Sequence, residues 1–237
     1  MKRLVIASIV VALSVAAAIA EDQPRTRKLT GEQRRAKRAA KIKAEGGLVT
    51  KPYDGRYVVI ENAQTIVAQE DLMPKGSGID DLFGFPIKYV AKGGRAEKTA
   101  LHITVSQDPV SPTLLVAPEV PWAQVNFKSL GADGAKHDVV VARTQKEIWR
   151  AFMMCCGAAN SNMSPCVMRT VCSLGDLDSQ PVRVPCPEPM MKVLNAGQEL
   201  GLKRPEQKTY KQACEEGWAP DPTNDVQKAI RESVGKK

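Results

Sequence analysis

Rings are scarce in this chain. Its 237 residues include two histidines, His102 and His137, so any nucleophile or metal site that needs imidazole must draw on those two. Phe, Trp and Tyr together make up 5% of the residues. None of them interleaves the cations of residues 25 to 45, which argues against a single-strand nucleic-acid binder that stacks bases on aromatic faces. Cysteine is absent before residue 150, so no lipid anchor is expected near the N-terminus. After residue 20 no apolar run approaches the length of about 20 residues that crosses a bilayer. There is no Gly-rich phosphate loop, no G-x-S-x-G elbow and no internal repeat, which removes the common nucleotide-binding and serine-hydrolase readings.

What is present begins with an N-terminal export pattern. Lys2 and Arg3 precede an uncharged run from Leu4 to Ala20 that ends in Ala18-Ile19-Ala20 before Glu21. Residues 1–20 are therefore expected to be a signal peptide cleaved at an A-x-A site, and the protein is expected to be exported, to the periplasm or the exterior. The six cysteines, Cys155, Cys156, Cys166, Cys172, Cys186 and Cys214, are an even number in an exported chain, which favours disulfides over free thiols. The formal charge of +8 is uneven. Residues 21 to 45 hold nine Lys and Arg against four Asp and Glu, and residues 46 to 237 are nearly neutral.

The basic stretch, residues 21–52, reads as a helix and linker. Thr30 and Gln33 can form a capping box, Gly46-Gly47 would stop the helix, and its apolar stripe of Leu29, Ala36, Ala39 and Ala40 is too thin to bury deeply. Either it is a solvated spacer, or residues 25–43 attach the protein to anionic surfaces or nucleic acid. From Tyr53 the pattern becomes globular. Runs at 57–60, 86–90, 101–105, 114–117 and 125–127 read as strands. Residues 62–73 read as a helix between the first two strands, so the chain opens with a strand-helix-strand unit. A helix capped by Asp138 is predicted to run to about Cys155 through Val141, Ile148 and Phe152. Further helices are predicted at 187–200, 205–215 and 222–234. The fold class is α/β (α+β), a twisted mixed sheet with a long helix and C-terminal helices. The domain is assigned to 53–203, with residues 204–237 a helical extension packed on it.

The stretch from Lys146 to Met191, KEIWRAFMMCCGAANSNMSPCVMRTVCSLGDLDSQPVRVPCPEPMM, carries the clearest motif. Cys166-Val167-Met168 is followed by seventeen residues and then Cys186, with Ser173-Leu174 and Asp178 between and Lys192 and Leu200-Gly201-Leu202 beyond. This resembles the active-site segment of archaemetzincins. In that zinc-peptidase family a helix bearing H-E-x-x-H-x-x-G-x-x-H-C is followed by C-x-M, seventeen residues and C-x-x-C. The resemblance implies a sheet ahead of a long former active-site helix, now Lys146, Glu147, Arg150 and Cys156 at the positions of the motif. It places Met168 at the Met-turn and Met153 where the helix-ending glycine would stand. It also implies that a second, structural zinc would be left with Cys166 and Cys186, since Gly157 and Pro189 fall at the other two places. Cysteines that once met at one metal are close enough to bond, so Cys166 and Cys186 are implied as a disulfide, with Cys155, Cys156, Cys172 and Cys214 as further candidates.

A catalytic zinc needs neutral imidazoles at i and i+4 and a glutamate beside them. Lys146 and Arg150 are cations, and Arg cannot give up a lone pair. The expectation is a catalytically inactive archaemetzincin-like protein, stapled by disulfides and serving a binding, scaffolding or envelope role, with no metal or cofactor and an unknown protein or envelope partner. Two alternatives stand beside it. One is a zinc enzyme with non-standard ligands such as Cys156, Glu147 and His137; the other is the anionic-surface or nucleic-acid adaptor. Glu147 and Arg150 are expected to pair on a helix surface, with Trp149 and Phe152 on the buried side.

Overall fold

The computed structural model describes residues 30–73, 76, 78–94, 96–181 and 186–235. The expected signal peptide and residues 21–29 of the basic stretch lie outside the described residues. The chain divides into two compact units, one made of Thr50–Lys208 and the other of both chain ends, up to Val49 and from Thr209. Among the described residues no helix is long and apolar enough to cross a membrane.

The first described element is helix α1 (Gly31–Ala44). Thr30 caps it as its sequence predicts: the Thr30 hydroxyl accepts from the Gln33 N–H, and the Gln33 side chain accepts from the Thr30 N–H. A short strand β1 (Leu48–Thr50) follows, at the boundary with the larger unit.

The larger unit is built on a five-stranded mixed sheet. Its strands are β2 (Tyr57–Asn62), β3 (Ile87–Ala91), β4 (Thr99–Ser106), β5 (Leu114–Ala117) and β6 (Trp122–Asn126), in the order β3-β2-β4-β6-β5. The first four are parallel, and β5 runs antiparallel to β6 at the edge. Alternation decides the faces. Val58, Ile60, Leu101, Ile103, Val105, Ala123 and Val125 fall in register on one side and are buried there. Glu61, His102, Thr104 and Gln124 share the other side.

Between β2 and β3 the predicted single helix over 62–73 is replaced by a turn and two short helices, α2 (Gln69–Leu72) and α3 (Ile79–Phe83). Asn62 is the reason. Its side-chain oxygen accepts from the Ile66 N–H and its amide donates to the Val67 carbonyl, which holds the backbone in a turn where a helix would otherwise start. Likewise β6 ends at Asn126. The Asn126 side chain caps the four-residue helix α4 (Phe127–Leu130), so the predicted strand lies a few residues earlier in the chain than its apolar run suggested.

Helix α5 (His137–Cys155) lies across the buried face of the sheet. It starts one residue before Asp138, which sits in its first turn and not at its cap. Ile148, Trp149 and Phe152 are fully buried, worth about 1.5–3 kcal/mol each against exposure. Trp149 and Phe152 join Phe83 and Phe85 in one aromatic cluster, with centroids 5.6 to 6.5 Å apart. Three of the four phenylalanines of the chain are thus spent at one place. The helix runs past Met153 and ends in a Schellman turn: Gly157 takes φ +78°, the Ala158 N–H reaches the Met153 carbonyl, and the Gly157 N–H reaches the Met154 carbonyl.

Two helices complete the unit, α6 (Leu174–Ser179), capped by Ser173, and α7 (Pro187–Glu199), which opens with proline at its first position. The Leu200-Gly201-Leu202 sequence ends α7 with the same device. Gly201 has φ +74°, the Leu202 N–H reaches the Gly197 carbonyl at 2.7 Å, and Leu202 is buried.

Beyond strand β7 (Gln207–Thr209) come helices α8 (Tyr210–Glu215) and α9 (Asp225–Val234). The helix predicted over 205–215 begins only at Tyr210. Thr209 and Gln212 form a second capping box that sets its start. Within the unit of chain ends, α8 and α9 close around the turn after α1. The Tyr210 N–H donates to the Gly47 carbonyl and the Gln227 amide to the Gly46 carbonyl, at 2.9 and 2.8 Å. A Cβ on Gly46 would lie 2.9 Å from that of Tyr210, so only glycine fits this left-handed position.

Gly197 tests how tightly α7 is seated. A Cβ there would lie 2.7 Å from Cζ of Phe85. Replacing a helical glycine with alanine ordinarily gains up to about 1 kcal/mol, but the Phe85 ring is held by Phe83 and Phe152. Overpacking of about 1–3 kcal/mol should therefore win, and Gly197→Ala is expected to lower the urea midpoint.

Candidate functional site

Arg143, Lys146, Glu147 and Arg150 recur along α5 at the spacing of one helical face. All four are buried, from 1% to 6% exposed. The expected surface ion pair is in place, since Arg150 Nε donates to Glu147 Oε2 at 3.1 Å, but it is not on the surface. Residues 160–178 supply acceptors over this face, so from Arg143 onward most of the helix is buried on both sides.

A buried cation must have its N–H groups satisfied. Arg150 donates through Nη1 to the carbonyls of Val167 and Arg169, at 3.3 and 2.6 Å, and through Nη2 to the Asn160 side chain at 3.2 Å. Lys146 Nζ donates to the carbonyls of Leu177 and Asp178 at 2.8 and 3.2 Å. Burial pushes the Lys146 ammonium below its ordinary pKa and Glu147 above its own, the latter opposed by Arg150. Arg143 is the most completely paired. Its Nε and Nη2 grip Asp178 and its Nη1 and Nη2 grip Asp133, with a fifth bond from Nη1 to the Leu130 carbonyl, all at 2.7 to 2.9 Å. This pairing holds Asp178 low and Asp133 at about 2. The Arg143 cluster was missed in the sequence, although its spacing to Lys146, Glu147 and Arg150 was the signal that could have found it.

The covering segment is further tied by sulfur. Cys166 and Cys186 are joined by a disulfide, with Cα atoms 5.7 Å apart, linking the loop that carries the fully buried Met168 to the residue that caps α7. The remaining disulfide candidates stand as thiols: Cys155 and Cys156 buried, Cys172 exposed and Cys214 partly so. Burial pushes Cys155 and Cys156 up to about 12, so at neutral pH they are poor nucleophiles and poor ligands.

These residues do not fit zinc. Two of the motif positions are cations, the glutamate is engaged by one of them, and Cys156 caps the helix as a protonated thiol. His137 begins α5 and Cys156 follows its end, about 28 Å away at 1.5 Å per residue, so the set Cys156, Glu147 and His137 cannot converge on one ion. His102 stands on the other face of the sheet, where its Nε2 lies 3.0 Å from Glu61 Oε2. Among the described residues no group of three or more His, Cys, Asp or Glu is placed to hold a metal. Cys166 and Cys186 are consumed by their own bond and are not free to hold a metal.

Removing Arg150 alone would strand the Glu147 carboxylate. Arg150→Met is expected to cost about 3–5 kcal/mol in denaturant unfolding, and Arg150→Met with Glu147→Leu much less, because no uncompensated charge is then left. The Arg143 cluster sets the acid response. Asp133 and Asp178 are depressed below their ordinary value near 3.8, so their contribution is complete above about pH 4 and is lost as pH falls toward about 2. Arg143→Met should flatten the stability profile in that window.

No family model matches the chain, and no curated protein matches it significantly. Among solved structures the chain is similar to an archaemetzincin from Methanopyrus kandleri, at 12% identity and a TM-score of 0.47, over 62% of this chain and 98% of that one. It is also similar to a zinc-dependent peptidase from Methanocorpusculum labreanum, at 12% identity and 0.44, over 58% and 99%. The third is an archaemetzincin from Archaeoglobus fulgidus in complex with malonate, at 15% identity and 0.42, over 58% and 99%.

Proposed function

We propose that this is an exported, catalytically inactive archaemetzincin-like protein that serves a binding, scaffolding or envelope role. One observation carries the reading: the Arg150 guanidinium lies buried beside Glu147, donating to Glu147 Oε2, to the Val167 and Arg169 carbonyls and to Asn160. An activating glutamate needs a metal-bound water within reach. Here a permanent cation holds the carboxylate through Oε2 and also occupies the Val167 and Arg169 carbonyls and the Asn160 side-chain oxygen. The same face cannot admit a peptide without breaking the bonds that keep the three cations of α5 satisfied. Export rests on the N-terminal sequence pattern, and the role as a binding protein rests on a fold kept after its chemistry is gone.

The test pairs two measurements on the purified chain without reductant. Native mass spectrometry with added zinc is expected to show no stoichiometric metal and the mass deficit of a disulfide. Peptidase assays with added zinc are expected to show no turnover above the blank. Zinc-dependent cleavage that disappears in Glu147→Gln would overturn the proposal.

A further inference from the structure

Helix α1 is poorly suited to stand alone in water. None of its fourteen residues is buried, and helices of that length without tertiary packing are marginal. Its charges also oppose it. At 100° per residue, five of the six cations of α1, Arg34, Arg35, Lys37, Arg38 and Lys41, fall within an arc of about 160°, with Ala36, Ala39, Ala40 and the sixth, Lys43, behind them. Like charges therefore meet at i, i+3 and i, i+4, as in Arg34 with Lys37 and Arg38, Arg35 with Arg38, and Lys41 with Lys37 and Arg38. Each such pair disfavours the helix. Against them stand the Thr30 capping box, Glu32 in the first turn with Lys41 and Lys43 in the last, which suit the helix dipole, and one long contact from Lys41 to Glu45, 3.8 Å.

The base of the helix is nevertheless fixed. The Glu45 carbonyl accepts from the Lys211 N–H at 3.1 Å, and the neighbouring Gly46 carbonyl from the Gln227 amide. The cationic arc thus projects from an anchored turn, and its self-repulsion would be relieved by a partner of opposite charge.

We infer that this arc docks on an anionic phospholipid surface, with the phosphate headgroups as its counter-charge. Five of the six cations of α1 lie in one arc and Lys43 alone falls among the alanines behind it, a one-sided distribution that suits a plane. A helix seated in a nucleic-acid major groove meets phosphates on both flanks. Ile42 is the only bulky apolar side chain of α1, so the helix lies on the headgroups and does not insert among acyl chains. The inference is independent of the chemistry of the α5 face and stands or falls separately from it.

The experiment is vesicle co-sedimentation of the full chain, comparing phosphatidylcholine alone with phosphatidylcholine containing phosphatidylglycerol. Neutral vesicles set the baseline that any apolar segment would produce. Binding to the anionic vesicles should be about 100-fold tighter or more. That excess should vanish at about 1 M salt, where the screening length falls to about 3 Å. It should also vanish in Arg34→Gln/Lys37→Gln/Arg38→Gln/Lys41→Gln, whose glutamines are good helix formers, and survive in Arg34→Lys/Arg38→Lys. Equal binding to both vesicles, or an excess that persists in the glutamine variant, overturns the inference. So does duplex DNA that binds the arc more tightly than the anionic vesicles at the same salt.

Discussion

The burial of charge on α5 is the constraint on which the larger unit depends. A helix of 19 residues ordinarily offers its polar face to water, yet here that face carries Arg143, Lys146, Glu147 and Arg150 into the interior. Desolvating such groups is costly unless their hydrogen-bonding capacity is met. It is met by main-chain carbonyls, those of Leu130, Val167, Arg169, Leu177 and Asp178, together with the carboxylates of Asp133, Asp178 and Glu147. The covering segment cannot slide along the helix without leaving these donors unpaired. The charges therefore specify where residues 160–180 lie as firmly as the aromatic cluster specifies the opposite face.

Around that clamp the other devices agree in direction. The disulfide between Cys166 and Cys186 joins the Met168 loop to the start of α7, and Gly197 lets α7 approach Phe85 closely. The guanidinium of Arg150 gathers a carboxylate, an amide oxygen and two carbonyls, the kind of oxygen set that a free cation would attract. Unlike a free ion, it is tethered, cannot exchange and offers no open position to a substrate.

Much of the architecture was legible because it obeys local rules. The alternating runs at 57–60, 101–105 and 114–117 are strands, the Thr30–Gln33 box starts α1, and glycines at 46, 157, 201 and 217 follow helix ends in left-handed conformation. Local rules failed where a side chain redirected the backbone. Asn62 turns residues 62–67 away from a helix, Asn126 ends a strand and opens α4, and Thr209 delays α8 by several residues. Polar side chains that bond their own neighbourhood compete with regular structure, and composition does not reveal which option wins.

At the candidate site the sequence alone determined what two side chains cannot do: the cations Lys146 and Arg150 cannot act as zinc-binding imidazoles in any fold. Only the tertiary structure decided what those cations do. Helical periodicity placed Arg143, Lys146, Glu147 and Arg150 on one face, but periodicity cannot say whether water or protein lies over it. Charged residues on a helix are ordinarily solvated, so the pattern read as surface. The carbonyls that make burial tolerable come from residues up to 32 positions away in the chain, and they converge on α5 only when the fold is complete.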